Sequence, residues 1–194
     1  MLAKGPNITN GYSNKPDKTA EAFTEDGYFR TGDVVARDAD GYYTFVDRLK
    51  QLIVLDTGKN IAPEPIEDEF ATSARVDQIM VVGDDEKFVA AVVVPNFDEL
   101  HSWADGQGID LPDDPEAICA DERVHDWAAE DVDRVNERLG KAERIKEFRL
   151  VPLEWTAEND LLTPSMKKKR RNIRDAFDEA IADIYGKDPA DVKH

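Results

Sequence analysis

Gly27 to Pro63 reads GYFRTGDVVARDADGYYTFVDRLKQLIVLDTGKNIAP. Short apolar runs alternate here with unlike polar groups: a Thr-Gly-Asp tripeptide, an acidic turn, an aromatic strand, an Asp-Arg pair, a lone lysine and a Gly-Lys-Asn loop. Loops held on a rigid scaffold carry function, and this density of polar signals marks a ligand site. Val34-Val35-Ala36 and Tyr42-Tyr43-Thr44-Phe45-Val46 have strand character, and the Asp/Gly turn Asp38-Ala39-Asp40-Gly41 between them predicts a hairpin. Such a hairpin brings Asp33, before its first strand, towards Arg48, after its second. The carboxylate can accept two hydroxyls and the guanidinium can donate a fork, which suits a polyhydroxylated ligand. A structural salt bridge fits the same spacing, and the residues alone leave both readings open.

Working outward, residues 1–24 carry Gly-Pro and Asn-Gly punctuation and a short helix, Pro16 to Phe23, with no hydrophobic centre of their own. They read as the tail of something larger. Leu49 to Leu55 reads as a strand, Asp56 to Asn60 as a tight polar turn, and Ile61 to Phe70 as a helix whose entry Pro63 and Pro65 fix. Val76–Val82 and Phe88–Val94 form a second hairpin, and the nearly all-apolar FVAAVVV marks its second strand as central. Phe97 to Ala104 is a short helix, Asp105 to Glu116 the clearest loop, and Asp121 to Leu139 an amphipathic helix of near 3.6 periodicity. Ile145 to Leu150 is a third strand, and Ser165 to Tyr185 a closing helix. The fold class is α+β: a small mixed sheet with flanking helices, preceded by a short β-subdomain.

Composition narrows the function. Across 194 residues, Asp and Glu outnumber Lys and Arg 42 to 25, giving a formal net charge of −17. Acid spread so evenly reads as a hydrated surface suited to high salt, hence a halophilic source, and it argues against nonspecific nucleic-acid binding. No apolar run approaches the ~20 residues a membrane helix needs. The N-terminal residues lack a signal-peptide core and Cys119 is the sole cysteine, so the expected location is a reducing cytoplasm.

His101, His125 and His194 show no ligand spacing and read as surface residues, and Cys119 as a packed or surface thiol. No metal site is expected. The exception to the acidic field is Lys167-Lys168-Lys169-Arg170-Arg171, placed by Pro164 and Ser165 at the start of the last helix. Helix N-termini favour anions, and cations added there make a phosphate or carboxylate site. A solvated basic face or a nucleic-acid patch fits the same run.

Five motifs taken together (GPNITNGYSNKPDKTAEAF, GYFRTGDVV, DGYYTFVDRLKQLIV, GKNIAPEPIE and LLTPSMKKKRR) resemble, in order and spacing, the closing third of AMP-forming acyl-CoA synthetases. That superfamily includes firefly luciferase and peptide-synthetase adenylation domains. The GKNIAP and LLTPSMK wording is most similar to the long-chain fatty acid–CoA ligases. The resemblance implies that Asp33 binds the ribose hydroxyls of ATP and the acyl-adenylate, with Arg48 as its partner. It implies a hinge at Lys50, a thioester-stage loop at Gly58 and Lys59, and a catalytic role for Lys167 at the carboxylate and α-phosphate during adenylation. Lys168 to Arg171 are expected to be solvated or to touch CoA phosphates. ATP/AMP, coenzyme A and Mg2+ are the implied cofactors, with no Mg2+ ligand visible in this sequence. The family's glycine in the turn before LLTP is Asp160 here, and the loop from Asp105 to Glu116 is unusually acidic.

The resemblance divides the chain into residues 1–49, the end of a large N-terminal domain, and 50–194, a mobile C-terminal lid. The large domain, with its phosphate loop and acyl tunnel, is the expected partner, alongside ATP, CoA and fatty acid. Without it the chain is expected to be inactive. Two alternatives stay open: another adenylating enzyme such as an aryl-CoA ligase, or a non-catalytic remnant that binds nucleotide or protein.

Overall fold

A computed structural model describes residues 1–188, which divide into two compact units, Met1–Leu52 and Ile53 onward. The first unit contains β1 (Leu2–Ala3), α1 (Pro16–Ala22), β2 (Phe29–Arg30), β3 (Asp33–Arg37) and β4 (Tyr43–Arg48). β1 pairs antiparallel with β2, and β3 pairs antiparallel with β4. The predicted hairpin is present, and its Asp38–Gly41 turn closes with the Asp38 carboxylate accepting the Tyr42 N–H at 2.8 Å. Among the described residues of this unit no apolar side chain is buried. Tyr42, Tyr43, Phe45 and Leu49 are instead exposed, and the one buried side chain is that of Asp47.

The second unit holds the core. β5 (Ile53–Val54) and β6 (Asn60–Ile61) form a small hairpin that leads into α2 (Pro63–Asp68). β7 (Val76–Val82) and β8 (Val89–Pro95) follow, then α3 (Phe97–Gln107), α4 (Pro115–Cys119), α5 (Glu122–Asn136), β9 (Ile145–Leu150), α6 (Arg170–Ala176) and α7 (Asp178–Tyr185). The main sheet has the order β7-β8-β9, antiparallel between the first pair and parallel between the second, so it is mixed as the sequence predicts.

Strand alternation splits β8 between two cores. Val89, Ala91 and Val93 face one layer with Leu100, Trp127, Ala128 and Val132. Ala90, Val92 and Val94 face another with Trp155, Ile173, Phe177 and Ile181. Burial on both faces explains the unbroken apolar run. Each fully buried valine contributes ~1.5–3 kcal/mol. Gln78 ties Trp155 to β7 by accepting from its backbone N–H at 2.6 Å and donating to its carbonyl at 2.9 Å.

Two predicted elements are corrected. Leu49 to Leu55 is not one strand: Leu49–Gln51 form a 3-10 turn and β5 is only Ile53–Val54. Leu49 is exposed and Ile53 and Leu55 are buried, so the apolar run mixes an outward residue with two inward ones. The closing helix likewise does not run from Ser165 to Tyr185. It begins at Arg170 and breaks at Phe177 (φ −124°, ψ 28°), whose ring turns onto Trp155 with centroids 6.2 Å apart. The predicted loop is shortened at both ends, because α3 extends to Gln107 and α4 begins at Pro115.

Leu100→Ala removes a side chain with no solvent exposure and is expected to cost about 2–5 kcal/mol. Tyr42→Ala, in the first unit, is expected to change stability by less than about 0.5 kcal/mol. Urea unfolding checks both, followed by tryptophan fluorescence for the second unit, where Trp103, Trp127 and Trp155 lie, and by far-ultraviolet circular dichroism for the whole chain.

Candidate functional site

In the first unit the ladder register pairs Asp33 with Arg48, which the sequence had only brought near one another. Arg48 Nε stands 2.9 Å from Asp33 Oδ1. Asp33 Oδ1 is shut off from solvent and accepts no hydrogen bond, so the guanidinium offers it charge but not an aligned donor. The Arg48 side chain is 60% exposed, so the pair is open to an incoming group. The Asp33 side chain keeps 20% exposure although Oδ1 is covered, so a ligand hydroxyl would meet its other carboxylate oxygen, with Arg48 donating beside it. Beside it, buried Asp47 accepts the Arg48 backbone N–H at 2.6 Å and fixes the strand end. Lys50 is exposed in the 3-10 turn that follows.

In the second unit the β5–β6 hairpin presents Gly58 and Lys59 to solvent. Gly58 has φ +78° with open space around it, the left-handed backbone that favours glycine. Its N–H donates to Leu55 O at 2.8 Å, and Leu55 N–H donates to Lys59 O at 3.0 Å, closing the turn. The neighbouring strand turn holds the hairpin from outside: Asp84 accepts Val54 N–H at 3.1 Å and Asp85 N–H donates to Val54 O at 2.8 Å. Gly83 lies so close to Ile53 and Leu55 that an added Cβ would stand 3.2–3.3 Å from them.

Lys167 is not at a helix start, which corrects the helix-dipole argument for the basic run. Thr163 to Lys167 form a tight turn: Met166 N–H donates to Thr163 O at 2.8 Å, Thr163 N–H donates to Lys167 O at 2.8 Å, and Lys167 N–H donates to the Thr163 hydroxyl at 3.0 Å. This local bonding competes successfully with helix formation. Met166 pays for the turn with φ +61°, unusual for a residue carrying a Cβ. Leu162 and Lys168 pair across its base.

Of the neighbours of Lys167, Lys168, Lys169 and Arg170 are half-buried and ion-paired, and Arg171 is largely exposed. Lys168 Nζ lies 2.5 Å from Glu67 Oε2, and Arg170 Nη2 lies 2.8 Å from Glu67 Oε1. Lys169 pairs with Asp160, which Asn172 also contacts. Arg171, 81% exposed in its side chain, stands 3.9 Å from Asp175. Lys167 alone of the five forms no ion pair among the described residues, and its side chain is exposed. Asp160, where the resembled family has glycine, adopts φ +63° and spends its carboxylate on Lys169, whose ammonium holds it below the usual carboxylate range.

Glu67 is the functional candidate that sequence reasoning missed. Its side chain is 4% exposed, and besides the two cations it accepts Val81 N–H at 2.8 Å on the open edge of β7. The available signal was a glutamate on the buried face of α2, beside Ile66 and one turn before Phe70.

A family profile described as AMP-binding enzyme C-terminal domain matches residues 50–189. The chain belongs to that family. Among curated relatives of this AMP-binding C-terminal domain, long-chain-fatty-acid–CoA ligase FadD15 of Mycobacterium tuberculosis is 34% identical over 97% of this chain and 31% of its own length. Human long-chain-fatty-acid–CoA ligase 1 is 37% identical over 95% of this chain and 27% of its own. The chain thus spans under a third of the length of these relatives. Among solved structures, the A domain of carboxylic acid reductase from Segniliparus rugosus, in complex with AMP and a co-purified carboxylic acid, is 30% identical with a TM-score of 0.75. That match covers 95% of this chain and 27% of the other.

Within the described part of this AMP-binding C-terminal domain, no three His, Cys, Asp or Glu side chains gather closely enough to hold a metal ion, so its residues do not form a Mg2+ cage. No described helix is long and apolar enough to cross a membrane. His101 is exposed as predicted, but His125 is half-buried and stacks on Phe148 with centroids 4.2 Å apart, while His194 lies outside the described residues. Burial, assisted by Glu116, pushes the Cys119 thiol up from 9.0 to about 12. The folded state therefore keeps its proton as pH rises past the unfolded value of 9.0, and this stabilising contribution is lost as pH climbs towards about 12. Iodoacetamide labelling of Cys119 at pH 8 is expected to be at least ~10-fold slower in the native chain than in urea, since the thiolate is the reacting form. Equal rates would contradict a thiol half-buried and raised in this way.

Proposed function

We propose that this chain is the C-terminal part of an ATP-dependent long-chain fatty acid–CoA ligase. The observation that carries the reading is Lys167, an exposed ammonium with no ion pair among the described residues at the end of a turn, followed by three cations that are engaged. The reaction has two halves. A carboxylate attacks the α-phosphorus of ATP, releasing pyrophosphate and forming an acyl-adenylate. The CoA thiol then attacks the acyl carbon, and AMP departs.

In this reading Lys167 Nζ is aimed at the negative charge shared by the carboxylate and the α-phosphate as adenylation proceeds. A fixed cation placed where charge develops lowers the barrier without reorganising. The Asp33 carboxylate accepts a ribose hydroxyl on the oxygen that faces away from the covered Oδ1, and Arg48 donates alongside it, orienting the nucleotide. Lys50, in its exposed turn, is the hinge about which residues from about 50 onward reorient between halves. Gly58 and Lys59 belong to the thioester stage, where a left-handed glycine allows close backbone approach. The relatives' greater length supports a large N-terminal domain as the partner that supplies the phosphate loop and acyl pocket. The isolated chain is then inactive.

The likeness to a carboxylic acid reductase A domain favours a second reading, in which the same adenylate forms but the acyl group does not pass to free CoA. Acyl-adenylate and CoA supplied to the full-length protein separate the two, since the ligase yields acyl-CoA and AMP.

In the full-length protein Lys167→Ala is expected to slow ATP–pyrophosphate exchange about 10²–10³-fold, with thioester formation from supplied adenylate little changed. Undiminished exchange would overturn the role of Lys167. Asp33→Ala is expected to raise the KM for ATP by about tenfold or more, the loss of one charge-assisted hydrogen bond. Lys50→Pro restricts the turn torsions and is expected to slow one half-reaction relative to the other. Equal slowing of both would count against the hinge.

A further inference from the structure

We infer that Glu67 is a positioning residue for Lys167, setting the place of its ammonium by gripping the next residue in the chain. The inference rests on the role proposed above for Lys167. Three facts carry it. First, the Glu67 carboxylate is almost out of solvent and is fully engaged: Oε1 accepts from Val81 N–H and Arg170 Nη2, both at 2.8 Å, and Oε2 accepts from Lys168 Nζ at 2.5 Å. Second, the anchor is rigid, because Val81 belongs to the core strand β7 and Arg170 Nη1 also reaches Val81 O at 3.4 Å. Third, Lys167 is held from both sides. Thr163 binds its N–H and its carbonyl, and Lys168 is pinned to Glu67. The backbone of Lys167 is fixed while its side chain is left unpaired.

Stability alone does not select this arrangement. Burying a carboxylate with two cations is often no better than an apolar trio of similar volume, because desolvation consumes the Coulombic gain. What ions add here is directional geometry. A guanidinium and an ammonium on one carboxylate fix α2, the β7 edge and residues 168 and 170 to one another. The same helix continues from the Gly58-Lys59 hairpin, so the adenylation lysine and the thioester-stage loop share one mount. A cavity of about 230 Å³, lined by Glu67, Gln78, Met166 and Lys168 among others, lies beside the turn and gives it room to move if the grip is lost.

Glu67→Gln keeps an acceptor for Val81 N–H and removes the charge that holds Lys168 and Arg170. Two measurements test the inference. In the 194-residue chain, trypsin cleavage between Lys167 and Lys168 is expected to accelerate at least tenfold, with the circular dichroism spectrum unchanged. In the full-length protein the kcat of adenylation is expected to fall ~10- to 100-fold, the scale of a misplaced catalytic group, with KM for ATP and thioester formation from supplied adenylate both within twofold of wild type. Lys168→Gln, which leaves Glu67 bound by Arg170 and Val81, is expected to show the same pattern more weakly, and it serves if Glu67→Gln does not fold. A turn no more cleavable than wild type, or both half-reactions falling together, would overturn the positioning role. If the turn loosens but Lys167→Ala leaves adenylation intact, the proposed role of Lys167 fails and the grip of Glu67 on the turn stands. If Lys167→Ala abolishes adenylation while Glu67→Gln leaves turn and rate untouched, the inference fails and the role of Lys167 stands.

Discussion

A carboxylate taken out of water must find cations, and in this chain that requirement organises the second unit. Glu67 sits on α2 with its side chain 4% exposed, where an unpaired charge would cost several kcal/mol. Lys168 and Arg170 are drawn in to meet it, although they come from a segment a hundred residues further along the chain, and Val81 N–H completes its shell. Two structural consequences follow. Residues 167–169 stay outside the last helix: the Thr163 turn holds Lys167, and Lys168 bridges to Leu162 while its ammonium reaches Glu67. The open edge of β7 is also blunted, since its Val81 groups are already occupied, which limits pairing with a foreign strand.

The two units differ in what holds them. The second is built around β8, whose side chains feed an apolar layer on each face of the sheet. The first has two hydrogen-bonded strand pairs and exposed aromatics but no buried apolar side chain among its described residues. Its geometry at Asp33 and Arg48 is therefore set by ladder register and by Asp47, not by packing. Two-stranded pieces of this kind are marginal alone in water.

Much of this was legible in the sequence where one local rule dominates. The Asp/Gly turn between aromatic and β-branched runs gave the β3–β4 hairpin, and the register then followed closely enough to pair Asp33 with Arg48. FVAAVVV announced a strand buried on both faces, and the 3.6 periodicity of α5 survived intact, with Val124, Trp127, Ala128, Val132 and Val135 all inward. Legibility failed where a distant partner decides the backbone. A Pro-Ser start before five cations looks like a helix; Thr163 is a local competitor for the Lys167 N–H, but nothing nearby reveals that Glu67 will hold Lys168 and Arg170. Leu49 to Leu55 misled for a related reason: apolar content was counted without knowing that Leu49 points outward. Of the candidate site, the residue types were readable, but the ion pairs that leave Lys167 alone unengaged were not.

The contrast between the exposed and the hidden charges of this chain bears on how it responds to its medium. With a formal net charge of −17, the surface repels itself in dilute buffer and relaxes as ions accumulate, since the Debye length shrinks from ~10 Å at 0.1 M to ~3 Å at 1 M salt. Contacts such as Arg171 with Asp175 are open to that screening. The Glu67 carboxylate is not, because ions and water have little access to it. Ionic strength can thus rewrite the outer electrostatics of the molecule while the mount of the Thr163–Lys167 turn keeps one setting, an insulated joint inside a responsive shell.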